Sequence, residues 1–189
     1  KMKFLKLTIP SLLTSSALFA GTYNIDVSHS NVGFTVKHMM ITNVSGKFND
    51  VAGTFEYDEK TNTLTSLSGE IIVASINTAN EKRDTHLKAE DIFDAEKFPK
   101  IEFKTTKIED NAVYGDFTMK GVTKNIKLEL ENGGVITDPK GNLRAGFELT
   151  GKISRKDFGI TWNKILETGG VTVGDEVKLQ IAMEGILAK

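Results

Sequence analysis

Apolar and polar residues alternate along many short stretches of this chain, and this alternation is the feature that most restricts its fold. The clearest example is residues 126–130, where Ile126, Leu128 and Leu130 alternate with charged residues. Successive side chains of a β-strand point to opposite faces, so the pattern predicts strands with one apolar face. Similar stretches cover residues 23–37, 44–57, 64–76, 101–105, 113–119, 143–153 and 177–183. We therefore predict about eight strands.

Short polar or glycine-containing segments separate these stretches. Ser28–Asn31 coincides with a change of parity and predicts a bend or bulge. Lys120-Gly121 predicts a tight turn, and Asn132–Gly134 and Asp138–Gly141 predict hairpin-type turns. Short connections favour antiparallel neighbours, which indicates an all-β sandwich or barrel. Because each strand has a single apolar face, we prefer a closed barrel with an apolar interior.

One segment of the chain departs from the alternation. Thr78 and Glu81 have the spacing of a capping box, in which two side chains satisfy backbone N–H groups at the start of a helix. A short polar helix that carries Arg83 and His86 is expected to follow. We predict one helical insertion around residues 79–93 in an otherwise β-stranded domain.

The first twenty residues have the character of a secretory signal peptide. Three lysines precede an uncharged stretch over residues 7–19, and a small residue, Ala20, ends it. The apolar run is shorter than the roughly 20 residues that a membrane-spanning helix requires. We predict a signal peptide over residues 1–20, a single domain over residues 21–189, a periplasmic location and no stable membrane span after signal removal.

Composition and motifs exclude several classes of function. The chain has 24 basic and 25 acidic residues and no basic run longer than two residues, so nucleic-acid binding is not expected. The three histidines occur in no H-x-H or H-E-x-x-H spacing, and cysteine is absent, so no metal site is predicted. Nucleophile-elbow, phosphate-loop and dinucleotide motifs are also missing, so we predict no catalytic residues, no cofactor and no enzyme activity.

Phenylalanine dominates the aromatic residues, with eleven copies against three of tyrosine and one of tryptophan. An eight-stranded barrel is wide enough either to be filled by side chains or to hold one small ligand. The phenylalanines alone are most simply core residues, but glycines mixed among them favour space or sharp bending along the strands. These glycines are Gly46, Gly53, Gly115, Gly146 and Gly151.

Several motifs follow one another in a characteristic order. They are Tyr23-x-Ile25-Asp26-x-x-His29-Ser30-x-Val32-x-Phe34, Ser75-Ile76-Asn77-Thr78-x-Asn80-x-x-Arg83-Asp84-x-His86-Leu87, Gly115-x-Phe117-Thr118 and Val173-Gly174-Asp175-Glu176-Val177. This set, spread over residues 22–185, resembles the YceI-like family of bacterial secreted proteins. The resemblance implies a lipocalin-like eight-stranded antiparallel barrel, commonly a homodimer, with an elongated apolar pocket and no established reaction. The chain departs from the family pattern at Asn77 and at Ile92-Phe93.

The resemblance also implies a ligand, namely a polyisoprenoid, an isoprenoid quinone, or a fatty amide or acid. We predict that the protein binds, transports or stores such a lipid. The alternative is a non-enzymatic interaction or stress-response protein with a filled barrel. The predicted pocket lining is Phe34, Val36, Phe48, Phe93, Phe103, Phe117, Phe147 and Phe158.

Polar residues and the single tryptophan are expected at the mouth of this pocket. His38 ends an inward-facing series, and Trp162 lies in a long connection over residues 154–176 that is typical of either a lid or a simple cover. Arg83 and His86 are predicted to hydrogen-bond a ligand head group. The alternative for Arg83 is structural pairing with Asp84.

Overall fold

The fold is built almost entirely from strands, as the alternation predicts. A computed structural model describes residues 20–167 and 169–189. Within them, one α-helix, α1, covers Glu81–Lys88, and three 3₁₀ turns cover Val27–His29, Val73–Ser75 and Arg155–Phe158. The strands are β1 (Ala20–Ile25), β2 (Asn31–His38), β3 (Thr42–Phe48), β4 (Val51–Asp58), β5 (Thr63–Ile72), β6 (Ile76–Asn77), β7 (Lys100–Glu109), β8 (Ala112–Met119), β9 (Val122–Thr137), β10 (Leu143–Ser154) and β11 (Val173–Leu187).

The eleven segments form eight barrel strands, because β1 and β2, β3 and β4, and β5 and β6 are bent halves of three longer strands. The sheet runs in the order β1-β4-β5-β7-β8-β9-β10-β11-β2-β3-β6, and β1 also pairs with β11. The long strand β11 thus pairs with β2 over most of its length and with β1 at its end, where Tyr23 faces Leu187. This arrangement confirms the predicted eight-stranded antiparallel barrel with one short helical insertion.

The predicted signal peptide lies outside the described residues except for Ala20, which begins β1. In the part of the chain that is described, none of the helices has the length and apolar character needed to cross a bilayer.

An aromatic cluster fills one end of the barrel. Tyr23 stacks on Phe55 with ring centroids 5.3 Å apart, and Phe147 meets Phe55 edge-on at 5.0 Å. Tyr57 packs edge-on against Tyr23, and all four side chains are buried. The Tyr23 hydroxyl donates to Glu59, and burial, reinforced by this hydrogen bond, raises the pKa of Tyr23. We call Tyr23, Phe55, Tyr57 and Phe147 the closed-end cluster.

Glycines allow aromatic rings to lie flat against the inner wall. A methyl group at Gly185 would overlap the Phe55 ring, and one at Gly115 would overlap the Phe103 ring. The space that these glycines leave is therefore filled by neighbouring rings. This is how a small barrel accommodates bulky aromatic side chains on adjacent strands.

The helix begins differently from the prediction. The cap is Asn80, whose side-chain oxygen accepts from the backbone N–H of Arg83. The predicted capping box of Thr78 and Glu81 is wrong, because the Thr78 hydroxyl donates to Asp84 instead. Asparagine is as good a cap as threonine, so two candidate caps two residues apart compete and the tertiary contacts decide.

The predicted turn at Asn132–Gly134 is also wrong. Strand β9 continues through it, and Gly133 is an extra residue in a bulge opposite the Gly146–Phe147 step of β10. The Asn132 side chain accepts from the backbone N–H of Leu64 across the barrel. Clusters of glycine are found at bulges as well as at turns. Here β9 pairs with β10 on both sides of the two glycines, so they form a bulge within the strand.

A network of charges joins three segments near the closed end. Arg144 donates from Nη1 to Asp26 Oδ2 at 2.8 Å, from Nε to Asp138 Oδ2 at 2.9 Å, and also to Glu184. The Nδ1 atom of His29 lies 2.9 Å from Asp26 Oδ2. Asp26, His29 and Glu184 each have a side-chain atom that could bind a metal ion, and these atoms lie within 4.8 Å of one another. The guanidinium of Arg144, however, already supplies a positive charge to both carboxylates.

Hydrogen bonds to this network stabilise its ionised carboxylates. Ser28, Arg144 and His29 lower the pKa of Asp26 well below its usual range. Asn142 and Arg144 do the same for Asp138. A carboxyl group whose pKa is lowered in the folded state contributes stability above its unfolded pKa and loses that contribution as the pH falls.

We predict that Gly185→Ala lowers the free energy of unfolding by about 1–3 kcal/mol, because the new methyl group displaces the buried Phe55 ring. The matched control is Gly69→Ala, whose methyl group would meet only the Ala52 carbonyl oxygen at an ordinary 3.5 Å. Urea denaturation of both variants measures the difference. Equal losses in the two variants would contradict the proposed fit of ring against glycine.

We predict that Asp138→Asn destabilises the protein at pH 7 and that the difference from wild type narrows as the pH falls from about 4 to 2. At low pH the wild-type carboxyl group also loses its charge, so the two proteins converge. Urea denaturation across this pH range tests the prediction, with Glu129→Gln on the exposed outer face of β9 as control. A stability gap that is constant with pH would refute it.

Candidate functional site

An apolar cavity of about 290 Å³ occupies the end of the barrel opposite the closed-end cluster. Its wall comes from β2, β3, β5, β7, β8, β10 and β11, together with α1 and the connections that follow α1 and β10. A smaller void of about 50 Å³ lies deeper in the barrel and shares lining residues with the cavity. The shared residues are Val32, Ile71, Phe117, Leu179 and Ile181.

Nine of the twelve sequence-predicted site residues line the larger cavity. They are Phe34, Val36, His38, Phe48, Arg83, His86, Phe93, Phe117 and Trp162.

The other three predicted residues lie elsewhere. Phe103 borders the smaller void, and Phe147 belongs to the closed-end cluster. Phe158 is fully buried behind the cavity wall, edge-on to Phe117 with ring centroids 5.3 Å apart. Phe158 thus supports the ring of Phe117 and does not itself border the larger cavity.

Contacts between rings form one side of the cavity. Phe34 and Phe48, on neighbouring strands, lie with ring centroids 5.7 Å apart, and Phe48 meets Phe93 edge-on at 6.2 Å. Phe93 reaches the cavity from the turns after α1, where its backbone N–H donates to the Leu87 carbonyl. The helical insertion therefore completes the cavity wall near the open end of the barrel.

Arg83 is held at the mouth by Thr78. Its Nε atom donates to Thr78 Oγ1 at 2.7 Å, and its Nη2 atom donates to the Thr78 carbonyl at 2.8 Å. The backbone N–H and hydroxyl of Thr78 both donate to Asp84 Oδ1. Arg83 is thus linked to Asp84 through Thr78, and its Nη1 atom has no hydrogen-bond partner among the described residues.

Two histidines border the cavity near its mouth. His86 Nε2 lies 3.0 Å from Asp91 Oδ2, and the His86 ring meets Trp162 edge-on at 5.0 Å. His38 lies at the end of β2, opposite Val173, and its ring nitrogens bond to none of the described residues. The mouth therefore combines one fixed cation with two imidazoles and an indole.

Arg155 organises the long connection that the sequence predicts to be a lid or cover. It is 6% exposed, and its Nε and Nη1 atoms donate to the carbonyls of Gly174, Ile160 and Trp162 at 2.8–2.9 Å. Burial lowers the pKa of the Arg155 guanidinium, and the neighbouring Asp175 opposes this shift. One buried cation thus fixes both ends of the connection and positions Trp162 at the mouth.

Much of the aliphatic wall was not among the predicted site residues. Its members on β10 and β11 include Ile153, Val177, Leu179 and Ile181. The alternation along β11 is visible in the sequence and indicates an inward face. Their residue types are common in any barrel core and do not by themselves indicate a ligand site, but their parity on the strand places them on the same inward face as the predicted phenylalanines.

Comparison with known proteins gives a consistent family. A family model described as the YceI-like domain matches residues 23–185. The UPF0312 protein SA2479 of Staphylococcus aureus (strain N315) is 39% identical over 163 residues, which cover 86% of this chain and 95% of that protein. The similarity thus extends over nearly the whole of both proteins.

Solved structures share the architecture. The crystal structure of the Campylobacter jejuni YCEI protein is 29% identical, with a TM-score of 0.71 over 98% of this chain and all of that one. A polyisoprenoid binding domain from Saccharophagus degradans shares the fold at 12% identity, with a TM-score of 0.67 over 88% of this chain and 98% of that one. The family match and the 39% identity together establish that this chain belongs to the YceI-like family.

Proposed function

We propose that the protein binds a long-chain isoprenoid or a similar amphiphilic lipid, with the tail in the cavity and the head group at the mouth. The observation that carries this proposal is the apolar cavity at the open end of the barrel, with its few polar side chains gathered at the mouth. Lipid sites need this combination of an apolar wall and a small number of orienting polar groups. A fully packed barrel, the alternative prediction, offers no such space.

The cavity volume limits how much of a ligand can be buried. A water molecule occupies about 30 Å³ of liquid, so 290 Å³ gives room for roughly ten carbon-sized groups. At about 0.8 kcal/mol per methylene, this burial contributes about 8 kcal/mol before ordering costs, so burial in this cavity alone gives a dissociation constant no tighter than about micromolar. A longer tail would extend out of the mouth, or Phe117, which borders both spaces, would have to move so that the cavity extends into the smaller void.

The mouth suits a head group that accepts hydrogen bonds. The Nη1 atom of Arg83, which has no hydrogen-bond partner in the described part of the chain, and the imidazole of His38 are available for an oxygen atom of a ligand. A quinone, amide, carboxylate or phosphate head group has this chemistry. The similarity in fold to the polyisoprenoid binding domain of Saccharophagus degradans supports an isoprenoid tail.

Transport or storage of the lipid in the periplasm is part of the same proposal. Homodimer formation also stays a prediction. We propose no reaction, because the described polar residues at the mouth include no paired nucleophile and base.

We predict that a quinone carrying two isoprene units, about ten carbons, binds the delipidated protein saturably and quenches Trp162, the only tryptophan in the chain. Longer tails should add progressively less affinity per isoprene unit, because the cavity is filled at about this length. Fluorescence titration with quinones of two, four and nine isoprene units measures this dependence.

A pair of matched variants separates the cavity from the outer surface. The double variant Val36→Phe and Val177→Phe narrows the cavity and should weaken quinone binding at least about tenfold. Lys178→Phe adds the same ring to the outer face of β11 and should leave the affinity unchanged. Unsaturable quenching by every quinone, or equal affinity in both variants, would rule out binding in this cavity.

A further inference from the structure

Most of the large apolar side chains that are exposed gather at one end of the molecule. Six such residues occur in the part of the chain that the structure describes, and four lie at the cavity mouth. Met39 and Met40 are 40% and 58% exposed, and Ile41 and Ile165 are 82% and 84% exposed. We call these four residues the apolar rim.

Hydrogen bonds attach the apolar rim directly to the mouth. The backbone N–H of Met39 donates to the Thr172 carbonyl at 2.8 Å, and the N–H of Thr172 donates to the Lys164 carbonyl at 2.9 Å. Thr172 itself borders the cavity, as does His38, the residue before Met39. The rim therefore brings two segments together beside the opening through which a ligand would enter.

The backbone of the rim adopts a conformation that its residues disfavour. Met39 and Met40 have φ values of 48° and 63°, and the N–H of Ile41 donates to the His38 carbonyl at 3.1 Å. A hairpin turn with two positive φ values normally contains Asn-Gly. The exposed side chains of Met39 and Met40 contribute little packing to the folded core. Their presence in a disfavoured backbone conformation therefore indicates a function at the surface.

Charge and area together identify what the rim contacts. Lys37 and Lys164 flank it, are exposed, and form no ion pair with any described residue, while the exposed acids near the mouth include Glu167 and Asp91, which lies beside His86. A stable protein interface needs about 800 Å² and 20–30 residues on each side, which four projecting side chains cannot supply. A lipid surface requires only a few inserted apolar groups with basic residues beside them.

We propose that the apolar rim docks the protein onto a bilayer containing anionic phospholipids, with the cavity mouth facing the membrane. Ile41 and Ile165 enter the interface, and Lys37 and Lys164 contact lipid phosphates. A long-chain lipid then passes between membrane and cavity without crossing water. The proposal that the protein docks on a membrane depends only on the apolar rim, whereas the transfer of a lipid into the cavity rests on the proposed function.

Flotation with vesicles of phosphatidylcholine and phosphatidylglycerol in a 7:3 ratio tests the docking. Wild type and variants are expressed and purified in the same way, so that all of them have the same amino-terminal residues. We expect the double variant Ile41→Ser and Ile165→Ser to bind at least about tenfold more weakly, because two aliphatic side chains no longer leave water. The matched control is Ile136→Ser, 70% exposed near the closed end, which should bind like wild type.

A second variant keeps the test independent of the isoleucines. Lys37→Gln with Lys164→Gln should weaken binding to the anionic vesicles but not to pure phosphatidylcholine. Unchanged vesicle binding in both double variants, or an equal loss in Ile136→Ser, would overturn the proposal. So would a dimer that becomes a monomer in the isoleucine variant by light scattering, since the rim would then contact a second copy.

The quinone titration distinguishes this proposal from the proposed function. The isoleucine variant leaves the cavity wall intact and should bind the two-unit quinone with wild-type affinity. Quinone binding without vesicle binding refutes docking and leaves the proposed function standing. Rim-dependent vesicle binding without quinone binding supports docking and refutes the proposed function.

Discussion

Closure of the sheet through β11 is the constraint on which the rest of the structure depends. This one strand pairs with β10 along one edge and with both halves of the bent first strand along the other. Once the sheet is closed, eight inner faces converge on an interior that is just wide enough for side chains or one small ligand. Whether that interior is filled by side chains or left hollow then depends on which residues occupy each level of the barrel.

The two ends of the barrel use the interior differently. The closed-end cluster packs four aromatic rings against one another, with Gly185 leaving room for the Phe55 ring, while the other end leaves about 290 Å³ unfilled. At about 24 cal/mol per Å³, an empty volume of this size forgoes about 7 kcal/mol of packing. That is comparable to the whole stability of many domains, so the packed end must stabilise the barrel, and a bound tail would recover part of the loss.

Strand alternation made the barrel predictable, because parity alone assigns each residue to an inner or outer face. It did not distinguish Phe34 from Phe147. Both are phenylalanines on the inward face of their strands, but they lie at opposite ends of the barrel. Phe147 packs edge-on against Phe55 in the closed-end cluster, whereas Phe34 lies against Phe48 and Gly46 beside the cavity. Strand pairing in the folded barrel sets these neighbours. The Asn132–Gly134 bulge and the Asn80 cap escaped prediction for the same reason, since tertiary contacts chose between two locally acceptable structures.

Native mass spectrometry of the purified protein after incubation with a bacterial membrane lipid extract tests the central claim most directly. We expect a one-to-one adduct that releases a long-chain lipid, identified by its mass and fragmentation. The amount of adduct should fall when Val36 and Val177 are both replaced by phenylalanine. A spectrum that contains only the ligand-free protein, or adducts that are unaffected by filling the cavity, would contradict it.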